Sequence, residues 1–291
     1  MIRLAVRVRR DDAELVLAEL LELAPTGVEE VPERDGVIEF AVYGAPGELP
    51  SLHDLEAAAK DALVEVSTSE IADDWAERWR KFHQPVLVDA PRAMRGGARV
   101  PSLRITPPWT ASDDTRSAAL REIVIDPAQA FGTGSHATTR LCLELLLDLA
   151  ACDPARGAVV DVGSGSGVLA IAAAILGYAP VLAVDNERES VDAARANAAA
   201  NGVELDARLL DIRDVPPPLP TTETVVLANL LAPLLVGLAG ALERAPAHLI
   251  AGGLLHDQAD AVSREFARRL ALCERGRRAR GEWVALWLAR E

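Results

Sequence analysis

The 291-residue sequence predicts an α/β protein: a Rossmann-like, doubly wound sheet of seven strands with a small N-terminal α+β domain of ferredoxin-like type. Three observations lead there. From Val159 onward short apolar runs alternate with helix-length segments, as parallel strands joined by crossover helices require. The stretch Val159–Gly167, VVDVGSGSG, couples a buried strand to a glycine turn and a helix start. Ahead of residue 70 the order is βαββαβ, which is the order of a split βαβ plait. The expected organisation is a plait over 1–70, a linker helix and loop over 71–118, and the large sheet over 119–291.

The N-terminal elements follow from local patterns. Ile2 to Val8 alternates apolar residues with arginine, a strand signal. Asp11 and Asp12 then precede the amphipathic run LVLAELLEL, a helix with acids in its first turn, which ends at Thr26-Gly27. Val28–Val31 and Val37–Val42 read as strands around Glu33-Arg34-Asp35-Gly36, Pro50–Leu63 as a second helix, and Val64–Ser67 as the closing strand. Ile71–Phe82 is a short helix that places Trp75 and Trp79 on one face, suited to packing a domain junction or to stacking on a ligand. Pro85 to about Arg116, with Gly96-Gly97 and Pro107-Pro108, reads as linker carrying short strands at Val86–Val88 and Leu103–Thr106.

In the C-terminal part IVIDP, from Ile123, is a strand end. It runs into AFGTGSHATT, where Phe131-Gly132-Thr133-Gly134 is a turn and Ser135 or His136 starts a helix through Leu149. Strands at Val159, Pro180–Asp185, Glu204–Asp211, Thr224–Asn229 and Ala247–Ala251 follow. Between them lie helices at the glycine turn to Leu176, Arg188–Asn201, from Pro233, and Asp257–Leu270. Ala271–Glu274 and Glu282–Leu288, joined by a basic turn Arg275–Arg280, read as an antiparallel hairpin at the sheet edge.

Composition limits the partners. The net charge is −14 and only two lysines occur, Lys60 and Lys81, so a broad basic face for nucleic acid is not expected, whereas a basic protein partner suits the acidic surface. Cys142, Cys152 and Cys273 are widely spaced and form no metal-ligand pattern, as in a reducing compartment; no metal site is expected. Arginines interrupt the first apolar run, and no run approaches the ~20 residues of a spanning helix, so the expectation is a cytoplasmic protein away from membranes; a monomer is also expected.

The glycine turn fits two ligands. Gly165, Gly167 and Ala170, with Asp185 twenty residues beyond the first, satisfy the dinucleotide fingerprint GxGxx(G/A). Counted from Asp161 the same stretch is D-x-G-x-G-x-G, an S-adenosylmethionine pattern. A dinucleotide needs its pyrophosphate at the helix start; Asp161 tolerates an ammonium there and sits badly beside phosphate, though it also serves as a turn-capping acid. Asp185 is placed to accept both ribose hydroxyls, or to cap the next helix. Asp211 ends the third strand, near an adenine or as a turn acid. Asn229 ends the fourth strand, where an amide both donates and accepts, so it orients an amine or caps a helix. A methyltransferase on proteins, one on small molecules, and an NAD-binding oxidoreductase all remain open on these residues.

DPxxAFGTGxHxTT, DxGxGSG, NLLAPL and a late GEW together resemble the PrmA family of ribosomal-protein lysine methyltransferases, and DDWAERWRKFHQP resembles that family's linker. The resemblance covers nearly the whole chain. It implies a class I S-adenosylmethionine-dependent fold, a plait that recognises substrate, and transfer of methyl groups to amino groups of the eleventh protein of the large ribosomal subunit, free or assembled. It implies cofactor contacts at Thr139, Gly163, Asp185 and Asn229. Gly165 in the same turn and Phe131 in the AFGTG block join them, His136 borders the pocket, and Asn229 carries the catalytic role.

Overall fold

The structure, a computed structural model, describes residues 2–13, 16–17, 20, 28–32, 37–44, 49–50, 55, 59, 62–70, 84–91, 99–110, 119–127, 136–153 and 155–290. It divides into two compact units, Met1–Phe82 and His83–Glu291. The tryptophan pair Trp75/Trp79, the Gly96-Gly97 turn, Phe131 and the rest of the AFGTGS stretch lie outside the described residues.

In the first unit β1 (Ile2–Arg9), β2 (Glu29–Pro32), β3 (Val37–Gly44) and β4 (Leu63–Glu70) form one sheet of order β2-β3-β1-β4 with every neighbouring pair antiparallel. The period of two in β1 sends Leu4, Val6 and Val8 into a core with Phe40, Val42 and the helical residues Val16, Leu20, Leu55 and Ala59. Arg3 and Arg7 take the other face and clasp Glu39, which Arg7 meets directly across β3 at 2.8 Å. The Arg3 hydrogen bond, helped by Arg7, outweighs burial and holds the Glu39 carboxyl below its ordinary range.

The second unit holds two sheets. β5 (Val86–Val88), β6 (Ser102–Thr106) and β7 (Leu120–Val124) form a small sheet, β5 antiparallel and β7 parallel to β6. The stretch expected as linker thus supplies two strands, and the IVIDP strand belongs here and not to the large sheet.

The large sheet comprises β8 (Val159–Val162), β9 (Val181–Asp185), β10 (Asp206–Leu209), β11 (Val225–Asn229), β12 (His248–Leu255), β13 (Cys273–Arg280) and β14 (Trp283–Ala289). Its order is β10-β9-β8-β11-β12-β14-β13; the first five strands are parallel and β14 is antiparallel to both of its neighbours. This is the expected doubly wound sheet of seven strands.

Helices α1 (Ala137–Cys152), α2 (Val168–Ile175) and α3 (Arg188–Ala200) share a core with Val159 and Leu227, while α4 (Ala232–Ala241) and α5 (His256–Leu270) share the opposite core with Val160, Val162, Val226 and Ala228. Alternation along the strands therefore turns Asp161 and Asn229 toward the α1–α3 face. The chain order reverses between β8 and β11, so the crevice for a ligand lies at their carboxyl ends. No helix among the described residues is long and apolar enough to cross a membrane.

Two local expectations are corrected. The basic segment Arg275–Arg280 is strand, not turn; the turn is Gly281-Glu282, with Gly281 at φ +58°. The arginines suit an edge strand because acids from neighbouring helices meet them: Arg277 pairs with Asp260 (2.7 Å), Arg278 with Asp148 (2.5 Å) and Arg280 with Glu144 (3.2 Å). The strand expected to stop at Ala251 runs on to Leu255, since Gly252-Gly253 form an irregularity that the pairing with β14 spans, Gly253 at φ +78°.

Candidate functional site

The glycine turn leaves β8 and enters α2. Gly163 N–H and Ser164 N–H both donate to Val184 O (2.9 and 3.2 Å), tying the turn to β9. Gly163 has φ +69°, a conformation that strains any residue but glycine, and a Cβ there would also push aside Leu230 Cδ2, 2.4 Å away, where the turn passes beneath the β11–α4 connection. Asp185 ends β9, and its two carboxylate oxygens accept from Gly165 N–H (2.9 Å) and Glu187 N–H (3.1 Å). Turn and carboxylate are thus fixed to each other, and both line a cleft together with Val162, Asp211, Leu230 and Leu234. Arg213 also lines it, but its guanidinium is held by Asp211 at 2.6 Å. That bond, with the Arg213 backbone N–H, lowers the Asp211 carboxyl to about 2.

A pyrophosphate fits this lining poorly: the described residues present two carboxylates and one cation already paired. An adenosine bearing ribose hydroxyls fits, because Asp185 keeps lone pairs beyond the two backbone bonds.

Asp161 lies under the turn, 1% exposed, and accepts from Ala170 N–H at 3.1 Å through one oxygen, capping α2. Its other oxygen, Oδ1, is buried without a hydrogen-bond partner. Burial, reinforced by the nearby Asp185 charge and opposed by the Ala170 bond, pushes this carboxyl up to about 7. The capping and the acceptor readings of Asp161 are therefore compatible, one oxygen for each. Ser164 Oγ in the same turn is also buried and unpartnered.

Across the crevice Asn229 ends β11. Its Nδ2 donates to Thr138 Oγ1 (3.2 Å) and Thr139 Oγ1 (3.4 Å) in the first turn of α1, and its Oδ1 is buried without a partner. Both threonines are almost wholly buried. His136 caps α1: its Nδ1 lies 2.8 Å from Thr138 Oγ1 and 3.4 Å from Thr138 N. Trp283, of the late GEW stretch, packs edge-on against the His136 ring with centroids 5.2 Å apart.

Of the residues singled out in the sequence, Gly163, Gly165 and Asp185 meet at the turn, and Thr139 and Asn229 meet across the crevice, with Asp211 at the cleft and His136 behind Thr138; Phe131 lies outside the described residues. Sequence reasoning missed Thr138, although it sits inside the same ATT. It also missed Asn197 of α3 and Asn201, the residue that caps its C-terminus. Asn197, 4% exposed, donates to Ser166 O (2.9 Å) and accepts from Asp126 N–H (3.1 Å). Asn201 exchanges a pair of bonds with the Val124 backbone (2.8 and 2.7 Å). The signal was the NxxxN spacing, which puts two amides on one helical face. No group of three or more His, Cys, Asp or Glu among the described residues could hold a metal ion.

Comparison with known proteins agrees with this geometry. The sequence profile of the family described as "Ribosomal protein L11 methyltransferase (PrmA)" matches residues 41–291. A ribosomal protein L11 methyltransferase from Syntrophotalea carbinolica is 38% identical over 96% of this chain and 94% of its own. One from Sorangium cellulosum is 32% identical over 89% of this chain and 81% of its own. Among solved structures, the ribosomal protein L11 methylase of Lactobacillus delbrueckii subsp. bulgaricus superposes with a TM-score of 0.57 at 28% identity, covering 70% of this chain and 98% of that one.

Proposed function

The chain belongs to the ribosomal protein L11 methyltransferase (PrmA) family and is an S-adenosylmethionine-dependent methyltransferase, and from that premise we propose that it methylates lysine and other amino groups of ribosomal protein L11. The observation that carries the amine specificity is the Asn229 carbonyl. Its amide nitrogen is engaged by two threonine hydroxyls, so the group left over at the carboxyl end of β11 is a buried, unpartnered acceptor. An amine, with N–H donors and a lone pair, complements such a group; a carbon nucleophile does not need it.

S-adenosylmethionine, when bound, supplies a methyl group already activated on a sulfonium. The residues proposed to hold it are Gly163 and Gly165, through close backbone approach, Asp185 toward the ribose hydroxyls, and Thr139, Asn229 and Phe131 toward the remainder. Asp161 Oδ1 and Ser164 Oγ are unpartnered acceptors suited to an ammonium. Asn229 Oδ1 accepts one N–H of the neutral acceptor amine and thereby turns its lone pair to a fixed direction, an effect of orientation more than of acid–base chemistry. A lysine amine, ordinarily titrating at about 10.4, attacks the methyl group only after losing a proton. The unit Met1–Phe82 is proposed as the substrate-docking domain, and the protein as a cytoplasmic monomer.

Incubation with methyl-labelled S-adenosylmethionine and either isolated L11 or whole large subunits tests the reading. Label on L11 lysines is expected. Transfer to small molecules in a cell extract, with none to L11 in either form, would falsify it.

A further inference from the structure

The donor and acceptor roles around Asn229 can be deduced from one group that has no choice. The Thr138 backbone N–H only donates, and it points at His136 Nδ1 (3.4 Å). His136 Nδ1 therefore carries the lone pair, and the imidazole proton sits on Nε2. The Thr138 hydroxyl, 2.8 Å from the same Nδ1, must then donate to it. With its proton committed, Thr138 Oγ1 can only accept from Asn229, 3.2 Å away, so the side of the amide facing α1 has to be the NH2. A flipped amide would set two oxygen acceptors against each other. Trp283 packs edge-on against the imidazole, 5.2 Å between centroids, and holds the ring in place.

We infer that His136 and Thr138 are positioning residues forming a one-way chain, Asn229 NH2 to Thr138 OH to His136 Nδ1, that fixes the polarity of the Asn229 amide and leaves its carbonyl oxygen as the unpartnered acceptor. The inference rests on the proposed amine methylation for its consequence, but the chain itself exists without any ligand. His136 acts here as a hydrogen-bond acceptor that sets an orientation, not as the base that takes the amine proton. Thr139, at 3.4 Å, adds a second acceptor for the amide.

The test uses the full chain and the variants Thr138→Val, Thr138→Ser, His136→Phe and the double variant Thr138→Val/His136→Phe. Thr138→Val should lower kcat on L11 by about tenfold, the worth of one oriented hydrogen bond, with S-adenosylmethionine Kd by calorimetry and KM for L11 within about twofold of wild type. Thr138→Ser should restore kcat. His136→Phe keeps a ring beside Trp283 but frees the hydroxyl proton, so it should lower kcat as well. The double variant should then be no worse than Thr138→Val alone, because both changes break one chain. A wild-type kcat in Thr138→Val, no rescue by serine, or multiplicative losses in the double variant would each overturn the inference. Should Thr138→Val not fold, His136→Phe reads the same chain. Independently of any substrate, the Asn229 side-chain NH2 in ligand-free protein should show slowed hydrogen exchange by NMR that is lost in Thr138→Val; equal exchange in the two overturns the chain. If wild type methylates no L11, the functional proposal fails and the exchange measurement still decides the polarity.

Discussion

A carboxylate with one oxygen unpartnered inside the sheet, Asp161, occupies a place that penalises its charge. Burial lifts it to about 7 from an ordinary 3.8. The folded state therefore binds the proton more tightly than the unfolded chain, and this group makes stability fall as pH rises from about 4 to about 7. Above that, the full penalty is present. Asp161→Asn keeps an acceptor for Ala170 N–H and removes the charge. It should raise the melting temperature by a few degrees at pH 8, a gain on the order of 1 kcal/mol or more, and by least near pH 4. A ligand ammonium reverses the preference, because it favours the ionised carboxyl. S-adenosylmethionine should then bind more tightly as pH rises from 6 to 7.5, releasing a proton that calorimetry detects in buffers of different ionisation enthalpy. In Asp161→Asn both the affinity and its pH dependence should drop. An unaltered pH dependence in the variant would show that Asp161 is a helix cap and nothing more.

At the scale of elements, α3 does more than cover the sheet. Asn197 joins Ser166 O of the glycine turn to Asp126 N–H just beyond β7, and Asn201 holds Val124 at the end of β7. One helix face thus ties the small sheet to the turn. Asn197→Ala removes both hydrogen bonds of a nearly buried amide, so it should cost about 1–3 kcal/mol by denaturant titration and weaken S-adenosylmethionine binding. An unshifted denaturation midpoint would mean that water or a neighbour replaces the amide. This clamp also marks the limit of what sequence conveys. The strands β8, β9 and β11 and helices α1–α3 are legible because apolar periodicity is a local property. The partners of Asn197 are 31 and 71 residues away, and no local pattern names them. Arg275–Arg280 misleads for a related reason: a basic run resembles a turn until Asp148 and Glu144 of α1 and Asp260 of α5 are known to face it. β7 is legible as a strand, but nothing in IVIDP tells which sheet it joins.

For the whole molecule, the site is readable in proportion to how much of it is backbone. The glycine turn and Asp185 declare themselves through conformational need and spacing. Asn229 is visible as an amide at a strand end, yet which way that amide faces depends on Thr138 and His136, whose roles exist only once α1 docks beside β11. Substrate attraction is a property of larger scale still. The chain carries a net charge of −14, and an acceptor lysine is cationic near neutral pH, so long-range attraction favours encounter before any specific contact forms. The Debye length shrinks from about 10 Å at 0.1 M salt to about 3 Å at 1 M, which screens that attraction while leaving close contacts intact. The KM for L11 should therefore rise several-fold between 50 and 500 mM salt, whereas kcat, which the proposed role of Asn229 makes a matter of orientation, should change little. S-adenosylmethionine Kd, governed by groups buried in the crevice, should also hold nearly constant. Steady-state kinetics on L11 across that salt range separates the terms. A KM that is flat in salt would place recognition in apolar contacts, and a kcat that falls in parallel would place the salt sensitivity inside the site itself.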